Sequence, residues 1–369
     1  MKKIILIDAS PISGGLSGAA RYSYRLLNEM FPINNNFIFN VLVPKKEQRS
    51  IEISGWKKYD NVNFVQMDAT NIGPKRQIEF AVSRFRFDLI HSLSSFAPLL
   101  VSGRLVTTIH DIKNFESSKY LKGKSKIKKW YIENVIKKSI IMSDHILTVS
   151  EYTKSDILNK VNIEPESITV THIGPGHEKN NTEVKSQISS PYLFFVGTLR
   201  PHKNIEGLIS AFKYLNKDYE HNDLNLVIAG RDYNDHKKEL KEKVESRLCN
   251  KVHFIGKISD EELGVWYQNA KVFVYPSFYE GFGIPPLEAM GYGVPVAVTN
   301  QTSVPEIVGE AGTYFDPHEP SEIAKAINKI LESPEYRERS IAAGKDRYRQ
   351  FTWEATARKT LEVYKSILA

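Results

Sequence analysis

The sequence is poor in cysteine and in long apolar runs, and both absences limit what the protein can be. Cys249 is the single cysteine in 369 residues, so no disulfide can form within the chain, and one thiol fits a reducing compartment. No apolar run approaches the roughly 20 residues of a membrane-spanning helix. The first run, Ile4 to Ile7, is too short for a signal peptide and is followed by Asp8, so we predict a buried first strand.

A dinucleotide fingerprint is also missing. The glycine-rich stretch after the first apolar run, Ser13 to Gly18, lacks the G-x-G-x-x-G spacing that nicotinamide enzymes carry there, which disfavours that class. The composition, with 41% hydrophobic and 25% charged residues, is typical of a globular protein large enough for two cores.

Positive charge is concentrated in the first half of the chain. Residues 1–180 hold 26 lysines and arginines against 17 aspartates and glutamates, which leaves 24 against 26 for the remainder. The densest part, Lys119 to Ser139, has eight lysines, one glutamate and apolar residues at helical spacing, namely Ile127, Trp130, Tyr131 and Val135. A basic helix with an aromatic anchor is typical of proteins that bind an anionic membrane surface.

Two interpretations of this basic region stay open. Its lysines, from Lys119 to Lys138, would hold the protein at the inner surface of the cell membrane, whereas the apolar stripe alone favours a helix packed on its own domain. Nucleic acid is a weaker candidate, because no recognised binding motif accompanies the charge. We therefore predict a cytoplasmic protein, peripheral at the inner membrane face, with no nucleic-acid partner.

The segment from Lys271 to Asn300 is the most informative stretch. Apolar runs open and close it, and between them lie a glycine-rich loop, Tyr279 to Gly283, and a short helical segment that begins with Pro285 and Pro286. In open α/β sheets, ligands bind beyond the carboxyl ends of the strands. We therefore expect this loop to be a binding surface where the positive end of the helix favours an anion such as phosphate.

Two carboxylates flank this predicted anion site. Glu280 lies in the loop, and Glu288 lies in the first turns of the helix. Because carboxylates repel phosphate, their useful partners are neutral donors, such as the hydroxyls of a sugar and of a ribose. A nucleoside diphosphate sugar presents both kinds of hydroxyl together with a diphosphate, and it is the predicted ligand.

The stretch EGFGIPPLEAM, from Glu280 to Met290, resembles the E-x7-E signature of retaining glycosyltransferases of family 4. The similarity continues through FVGTLRPHKNIEGLISAF, LNLVIAGRD, VHFIGKISDEELGVWYQNA, SVPEIVGEAG and FTWEATARKTLEVY, so it covers nearly the whole second half. The resemblance implies the α/β architecture called GT-B. Its two Rossmann-like domains, each a doubly wound parallel sheet, face each other across a cleft.

Alternating apolar strands and helical stretches predict the same organisation from the residues. By the resemblance, residues 1–172 would form the acceptor-side Rossmann-like domain. Residues 173–191, which are rich in Gly, Pro, Asn and Ser, would form the linker. Residues 192–350 would bind the nucleotide sugar, and in the family a C-terminal helix, here 351–369, crosses back to the first domain.

Polar residues at predicted strand ends are the candidate site of the first domain. His91 ends one such strand, and we place it on the acceptor side. TIHD resembles the family's T-x-H-D, whose histidine reaches the transferred sugar, so the resemblance implies a catalytic role for His110, with Asp111 on the acceptor side or orienting the loop. SGAARY is similar to the family's G-G-x-G-R-Y and places Gly18 beside the donor diphosphate.

The stretch GTLRPHKN, from Gly197 to Asn204, is the candidate phosphate site of the second domain. A glycine turn with Arg200 and Lys203 before a helix supplies positive charge and backbone donors for a diphosphate. The resemblance assigns Lys203 to the donor phosphates, and Arg200 would act there from a shifted position.

The resemblance also implies backbone contacts to the donor. The base would lie on the loop that contains Gly256 and Ile258. The sugar or phosphate would meet the backbone of Phe282, Gly283 and Ile284.

Departure of a diphosphate builds negative charge on the leaving oxygen, which preorganised cations and amides stabilise. No D-x-D pair for Mg²⁺ occurs in the sequence, so we predict a metal-independent enzyme without a cofactor, in which Arg200, Lys203 and the helix N-terminus replace the metal. The family's usual account of retention is front-face attack. Glu280 would then hold hydroxyls of the donor sugar, and Glu288 would hold the ribose.

The resemblance implies a retaining hexosyltransferase that uses a nucleoside diphosphate sugar. GTLRPHKN and YEGFGIPPLEAM look most like bacterial mannosyl- and rhamnosyltransferases of surface-polysaccharide synthesis, which favours mannose or rhamnose. The enzyme's acceptor would be a lipid-linked saccharide in surface-polysaccharide synthesis, of O-antigen or capsule type. One rival is a nucleotide-sugar epimerase of the same architecture, which would release a free sugar isomer. The other is a non-catalytic membrane-surface protein, against which the intact Glu280, Glu288, Lys203 and His110 argue.

Overall fold

The computed structural model describes residues 2–12, 18–34, 36–44, 55–67, 74–82, 85–113, 126–176 and 188–369. The chain divides into two compact units. Unit 1 comprises Met1–Gly174 and Thr352–Ala369, and unit 2 comprises Pro175–Phe351. The first boundary falls inside the expected linker, whose residues 177–187 lie outside the described part.

Unit 1 is built on a parallel sheet whose apolar strands are buried. Its seven strands have the order β3-β2-β1-β4-β5-β6-β7. They are β1 (Lys3–Asp8), β2 (Phe37–Pro44), β3 (Val62–Met67), β4 (Leu89–Ser92), β5 (Arg104–Ile109), β6 (His145–Thr148) and β7 (Ile168–Val170). The helices between them are α1 (Gly18–Ile33), α2 (Pro74–Val82), α3 (Lys126–Met142) and α4 (Glu151–Lys160).

Unit 2 repeats this architecture with six parallel strands in the order β10-β9-β8-β11-β12-β13. They are β8 (Tyr192–Val196), β9 (Asn225–Ala229), β10 (Val252–Gly256), β11 (Val272–Tyr275), β12 (Val296–Thr299) and β13 (Gly312–Phe315). Its helices are α5 (Ile205–Asp218), α6 (His236–Glu242), α7 (Asp260–Asn269), α8 (Ile284–Gly291), α9 (Val304–Val308), α10 (Pro320–Glu332) and α11 (Pro334–Arg349).

Helix α12 (Trp353–Leu368) returns the chain to unit 1, where it packs on α1. Thr352 caps its N-terminus by accepting a hydrogen bond from the Ala355 N–H at 3.2 Å. The hydroxyl of Thr356 donates to the carbonyl of His172 at 2.6 Å. The tail therefore becomes part of the first unit's core.

In each sheet, the direction in which successive strands are added reverses at the first strand of that unit. In unit 1, β2 and β3 extend the sheet on one side of β1, and β4 begins the other side. In unit 2, β9 and β10 lie on one side of β8, and β11 lies on the other. Such a reversal opens a crevice at the carboxyl ends of the two central strands, which is where open α/β sheets bind ligands. The predicted α/β class with two doubly wound parallel sheets is confirmed.

Helix α3 corrects the preferred interpretation of the apolar stripe. Four of its aliphatic side chains are buried against the domain, namely Ile132, Val135, Ile136 and Ile140. Four others are exposed, namely Ile127 (81%), Trp130 (65%), Ile141 (55%) and Met142 (46%). At about 100° per residue, Ile132, Ile136 and Ile140 fall on the face opposite to Ile127, Trp130 and Ile141, and Val135 and Met142 lie at the border between the two faces. The expectation that Ile127 and Trp130 pack on their own domain is wrong, whereas Val135 is buried and Tyr131 is half-buried.

Within the described part of the chain, no helix combines the length and apolar character that crossing a bilayer requires.

Candidate functional site

A half-buried ion pair occupies the crevice of unit 2. The ammonium of Lys203, which follows β8, lies 2.5 Å from Oε1 of Glu280, which follows β11. The same ammonium donates to the hydroxyl of Tyr275, the last residue of β11, at 3.0 Å. The lysine and glutamate side chains are 13% and 14% exposed. The reversal of the sheet thus brings together two predicted site residues that are 77 positions apart.

The turn after β8 fixes Lys203. Its backbone N–H donates to the carbonyl of Arg200 at 2.9 Å, which closes a short 3-10 turn, Pro201–Lys203. Asn204 then takes the left-handed conformation (φ 53°), and its side chain caps α5 by accepting from the Gly207 N–H at 3.1 Å. Asparagine tolerates this conformation better than most residues, so the sequence defines the end of the turn.

The carboxylate of Glu280 is held by a loop that α9 supports. The hydroxyl of Ser303, which precedes α9, lies 2.9 Å from the carbonyl oxygens of both Glu280 and Phe282, which share its single proton. The N–H of Glu280 donates to the hydroxyl of Thr302 at 3.1 Å. Thr302 has φ 57°, a conformation in which a β-branched residue is strained. Thr302 and Ser303 therefore hold the backbone of the glycine-rich loop in place through their hydroxyl groups.

The N-terminus of α8 opens onto the same loop. Gly283 precedes the helix with φ 115° and makes no side-chain cap. Only glycine adopts such a conformation readily, and the absence of a side chain leaves room for a ligand at the positive end of the helix. Pro285 and Pro286 occupy the first turn, as predicted.

The carboxylate of the ion pair is ionised. Burial alone would raise the pKa of Glu280, but the charges of Lys203 and His202 outweigh it and lower that pKa to about 2. Burial, together with the neighbouring Glu280, raises the pKa of Tyr275 well above its usual value. At neutral pH the crevice therefore presents a carboxylate and a neutral phenol beside Lys203.

Glu288 is more deeply buried than Glu280. Its side chain is 4% exposed, and its Oε2 accepts a hydrogen bond from the Tyr267 hydroxyl at 3.1 Å. The same hydroxyl lies 3.2 Å from the carbonyl of Pro285. Tyr267 therefore ties the second carboxylate to the first turn of α8, and the ribose contact of Glu288 stays a prediction.

Arg200 has a different surrounding from Lys203. Its guanidinium lies over the ring of Tyr233, 4.3 Å from the centroid. Its Nε is buried and makes no hydrogen bond within the described residues. The phosphate contact of Arg200 stays a prediction.

Three strand ends approach one another beside the ion pair. Gly230, which follows β9, has φ 141°, and its N–H donates to the carbonyl of Gly256 at 2.7 Å. A side chain at Gly230 would collide with the carbonyl of Gly197. Gly256 itself has φ 76° and open space around it, with Ile258 half-buried nearby in sequence. The predicted base loop thus adjoins the backbone of the phosphate turn.

The candidate residues of unit 1 differ in accessibility. His91 is fully buried, and its Nδ1 and Nε2 lie 2.5 Å and 2.8 Å from the hydroxyls of Tyr364 and Thr108. This position makes it part of the attachment of α12, and it does not support the predicted acceptor contact. Asp111 pairs with Lys113 at 3.0 Å. Burial opposes ionisation of Asp111, but Lys113 lowers its pKa.

His110 lies at the carboxyl end of β5, where its Nε2 is 3.1 Å from the carbonyl of Leu93. Burial lowers the pKa of this imidazole, so it is neutral at neutral pH. Gly18 begins α1 with open space around it. The rest of its loop, residues 13–17, lies outside the described residues.

Comparisons with known proteins agree with this geometry. The chain is 32% identical over 385 residues to O-antigen chain mannosyltransferase B of Escherichia coli, covering 98% of this chain and 99% of the relative. It belongs to glycosyltransferase family 4. The family model "Glycosyltransferase Family 4" matches residues 57–175, and "Glycosyl transferases group 1" matches residues 178–347. The predicted resemblance to surface-polysaccharide mannosyltransferases is confirmed.

Solved structures show the same GT-B fold for this glycosyltransferase. Sucrose-phosphate synthase from Thermosynechococcus elongatus superposes with a TM-score of 0.77 at 18% identity, covering 99% of both chains. Anabaena HepE, solved with UDP and glucose, gives a TM-score of 0.73 at 17% identity, covering 99% of this chain and 100% of its own.

Sequence reasoning missed the groups that hold the site of this glycosyltransferase in place. Tyr275 ends an apolar strand, VFVY, and has the pattern of a core residue. Thr302 and Ser303 carried a usable signal, since they follow β12 at the same sheet edge as the loop they support. Tyr267 carried none, because its contact with Glu288 depends on how α7 lies against α8.

Proposed function

We propose that this glycosyltransferase transfers a mannosyl residue from a nucleoside diphosphate sugar to a lipid-linked saccharide in O-antigen biosynthesis. The observation that carries the proposal is the partly open ion pair between Lys203 and Glu280, next to the uncapped N-terminus of α8. A diphosphate fits the cationic side and sugar hydroxyls fit the anionic side. Mannose is favoured over rhamnose by the names of the relatives, of which the first is an O-antigen mannosyltransferase.

The geometry of Lys203 supports a role in leaving-group stabilisation. An ammonium has three N–H donors, and Glu280 and Tyr275 accept two of them. The third can donate to a phosphate oxygen without breaking the ion pair. Because this cation is preorganised, it stabilises charge that develops on the leaving oxygen. With no D-x-D pair in the sequence, we propose that the reaction needs no metal.

Glu280 would act on the sugar side. A carboxylate with a pKa of about 2 stays ionised and accepts hydrogen bonds from two hydroxyls. Its ion pair with Lys203 makes a covalent glycosyl intermediate at this oxygen less favourable. We therefore propose retention by front-face attack, which the anomeric configuration of the product would test.

The deciding experiment is thermal stabilisation of the protein by a panel of nucleoside diphosphates and their sugars, with a chelator present. A ligand at 100 times its Kd adds about 2.7 kcal/mol of stability. We expect a selective shift with one nucleotide, further increased by its mannose derivative, in wild type and in Lys213→Met, whose pair with Glu245 lies on the surface. Lys203→Met should abolish the shift. No shift with any nucleotide would contradict the donor assignment.

Unit 1 also carries a surface suited to an anionic membrane. On one face of α3, the exposed Ile127, Trp130 and Ile141 lie near the exposed lysines Lys137 and Lys138. Apolar side chains that enter the interface, next to cations that attract anionic lipid, are the two contributions that peripheral binding needs. We propose that this face holds the enzyme at the inner membrane surface, near a lipid-linked acceptor. The lysines from 119 to 124 lie outside the described residues.

Vesicle flotation tests this membrane proposal. Wild type should float with vesicles rich in phosphatidylglycerol at low salt, and much less with phosphatidylcholine. Trp130→Ser should weaken flotation several-fold, whereas Tyr214→Ser, which removes an exposed aromatic from unit 2, should leave it unchanged. Equal flotation of wild type and Trp130→Ser would show that the α3 face is not the contact.

A further inference from the structure

The imidazole of His110 is held on one ring nitrogen by a group that can only accept. Its Nε2 lies 3.1 Å from the carbonyl oxygen of Leu93, so the ring proton must reside on Nε2 for that hydrogen bond to form. In a neutral imidazole the lone pair is then on Nδ1. Burial keeps the ring neutral by lowering its pKa, against the opposing effects of the Leu93 carbonyl and of Asp111.

The face of the same ring is fixed by Tyr22. The two rings meet edge to face, with centroids 4.6 Å apart and an interplanar angle of 81°. Rotation of the imidazole by 180° about its Cβ–Cγ bond would exchange nitrogen and carbon positions and break the bond to Leu93. A close aromatic neighbour hinders that rotation.

Tyr22 is itself held in place by a buried network. It is 1% exposed, its hydroxyl lies 3.2 Å from that of Thr108, and its ring packs against Trp353 at 5.8 Å. The Thr108 hydroxyl also contacts Nε2 of His91, whose Nδ1 meets the hydroxyl of Tyr364. Residues of α1, β4, β5 and α12 thus fix the ring that lies against His110.

We propose that Tyr22 is a positioning residue that keeps His110 as the Nε2–H tautomer, so that Nδ1 presents a lone pair to a substrate hydroxyl. The inference rests on the proposed function for the identity of that hydroxyl, which belongs to a sugar. It assigns His110 as a hydrogen-bond acceptor in the ground state. Its Nε2 proton is already donated to the carbonyl oxygen of Leu93.

Nitrogen NMR of histidine-labelled protein tests the tautomer without any activity measurement. The His110 signals are identified by their loss in His110→Gln. Wild type should show protonated Nε2 and unprotonated Nδ1. Tyr22→Phe keeps the ring and should preserve this pattern. In Tyr22→Leu the imidazole can turn away from Leu93, and exchange of its proton between the two tautomers should then average the two nitrogen signals. Tyr364→Phe is the matched control, because it should change only the signals of His91.

The outcomes separate this inference from the proposed function. Protonated Nδ1 or averaged nitrogens in wild type would overturn the tautomer assignment, even for an enzyme that transfers sugar. An unchanged His110 pattern in folded Tyr22→Leu would overturn the role of Tyr22. If Tyr22→Leu does not fold, Tyr22→Met, which keeps more of the buried volume, replaces it under the same criteria. Turnover should fall about tenfold or more in the leucine variant and within twofold in Tyr22→Phe.

Discussion

Each unit has a cation–carboxylate pair at the carboxyl ends of its central strands, and the two pairs differ in how far they are exposed to a ligand. In unit 1, Asp8 at the end of β1 pairs with Arg76 of α2, with side chains 0% and 3% exposed. In unit 2, Lys203 and Glu280 are 13% and 14% exposed. The same topological position therefore carries a fully buried pair, Asp8 and Arg76, which we call the sealed pair, and a partly exposed pair, Lys203 and Glu280, which we call the open pair.

The partners of each pair explain the difference. Arg76 donates through Nη2 to Asp8 and through Nη1 to the carbonyl of Phe96 at 2.8 Å. Asp8 also accepts from the Ser10 N–H at 3.2 Å and the Ser92 hydroxyl at 3.3 Å. This pair fastens β1, β4 and α2 together. The ammonium of Lys203, by contrast, has one N–H beyond those given to Glu280 and Tyr275, so one pair is structural and the other is suited to binding.

The largest expected effect comes from breaking the sealed pair. Arg76→Met leaves the Asp8 carboxylate buried and uncompensated, which should cost about 3–5 kcal/mol of stability. Hydrogen exchange measured by mass spectrometry should show the loss of protection in unit 1 alone. Arg104→Met is the matched control, because its pair with Asp144 is 59% and 31% exposed and should contribute less than about 1 kcal/mol. Equal effects of the two variants would remove the distinction between sealed and surface pairs in this unit.

Breaking the open pair should affect turnover more than folding. Lys203→Met should lower turnover roughly 10²–10³-fold, the usual effect of removing one preorganised group that stabilises developing charge. Lys213→Met, which removes a surface cation from the same unit, should leave turnover unchanged. Transfer assays with purified nucleotide sugar, alongside hydrogen exchange of unit 2, separate the two effects. A Lys203→Met enzyme with normal turnover would place the leaving-group site elsewhere.

The comparison also shows what the sequence could predict. Lys203 and Glu280 were found because each follows an apolar run and lies in a glycine-rich stretch, features that are local in the chain. Arg76 was not found. It lies in an ordinary polar helical stretch, and its partner Asp8 is 68 positions away, brought close only by the crossover from β3 to β4.

Helix α3 shows a second limit of sequence-based prediction, namely which face of a helix will be buried. Helical spacing predicted one apolar stripe, but the same stretch has apolar residues on two faces. Periodicity cannot tell which face the sheet will cover. Ile132, Ile136 and Ile140 are covered because they face the sheet, whereas Trp130 is left outside.

As the pH is lowered, unit 1 should lose stability at a higher pH than unit 2. Burial lowers the pKa of His91 from 6.5 to about 3, so below pH 6.5 the unfolded chain takes up a proton that the folded unit refuses. Stability therefore falls as the pH drops, by about 2 kcal/mol between pH 6.5 and 5 for this residue. The pKa of Glu280 is lowered to about 2, so the stability that its ionised carboxylate contributes is lost only as the pH falls below the usual glutamate pKa of 4.5.

Hydrogen exchange at pH 7.5, 6.0 and 5.0, corrected for the intrinsic rate, measures this difference. Unit 1 should lose protection first, and His91→Gln should flatten its dependence. His110 and His145 of unit 1 have lowered pKa values for the same reason, burial, and add to the effect. His253 of unit 2 also has a pKa lowered by burial, but it is less buried. Earlier loss of protection in unit 2 would contradict the assignment of the acid-sensitive histidines to unit 1.

The smallest effect tests the backbone strain beside the open pair. Among the described residues, the non-glycine positions with positive φ are all in unit 2, and Thr302 is the β-branched one. Thr302→Ser keeps the hydroxyl that accepts from the Glu280 N–H and removes the branch, so unit 2 should gain about 0.5 kcal/mol with unchanged turnover. Thr302→Gly relieves more strain but loses the hydrogen bond, and its turnover should fall several-fold as Glu280 loosens. If serine and glycine lower turnover equally, the methyl group of Thr302, rather than its hydroxyl, holds the loop.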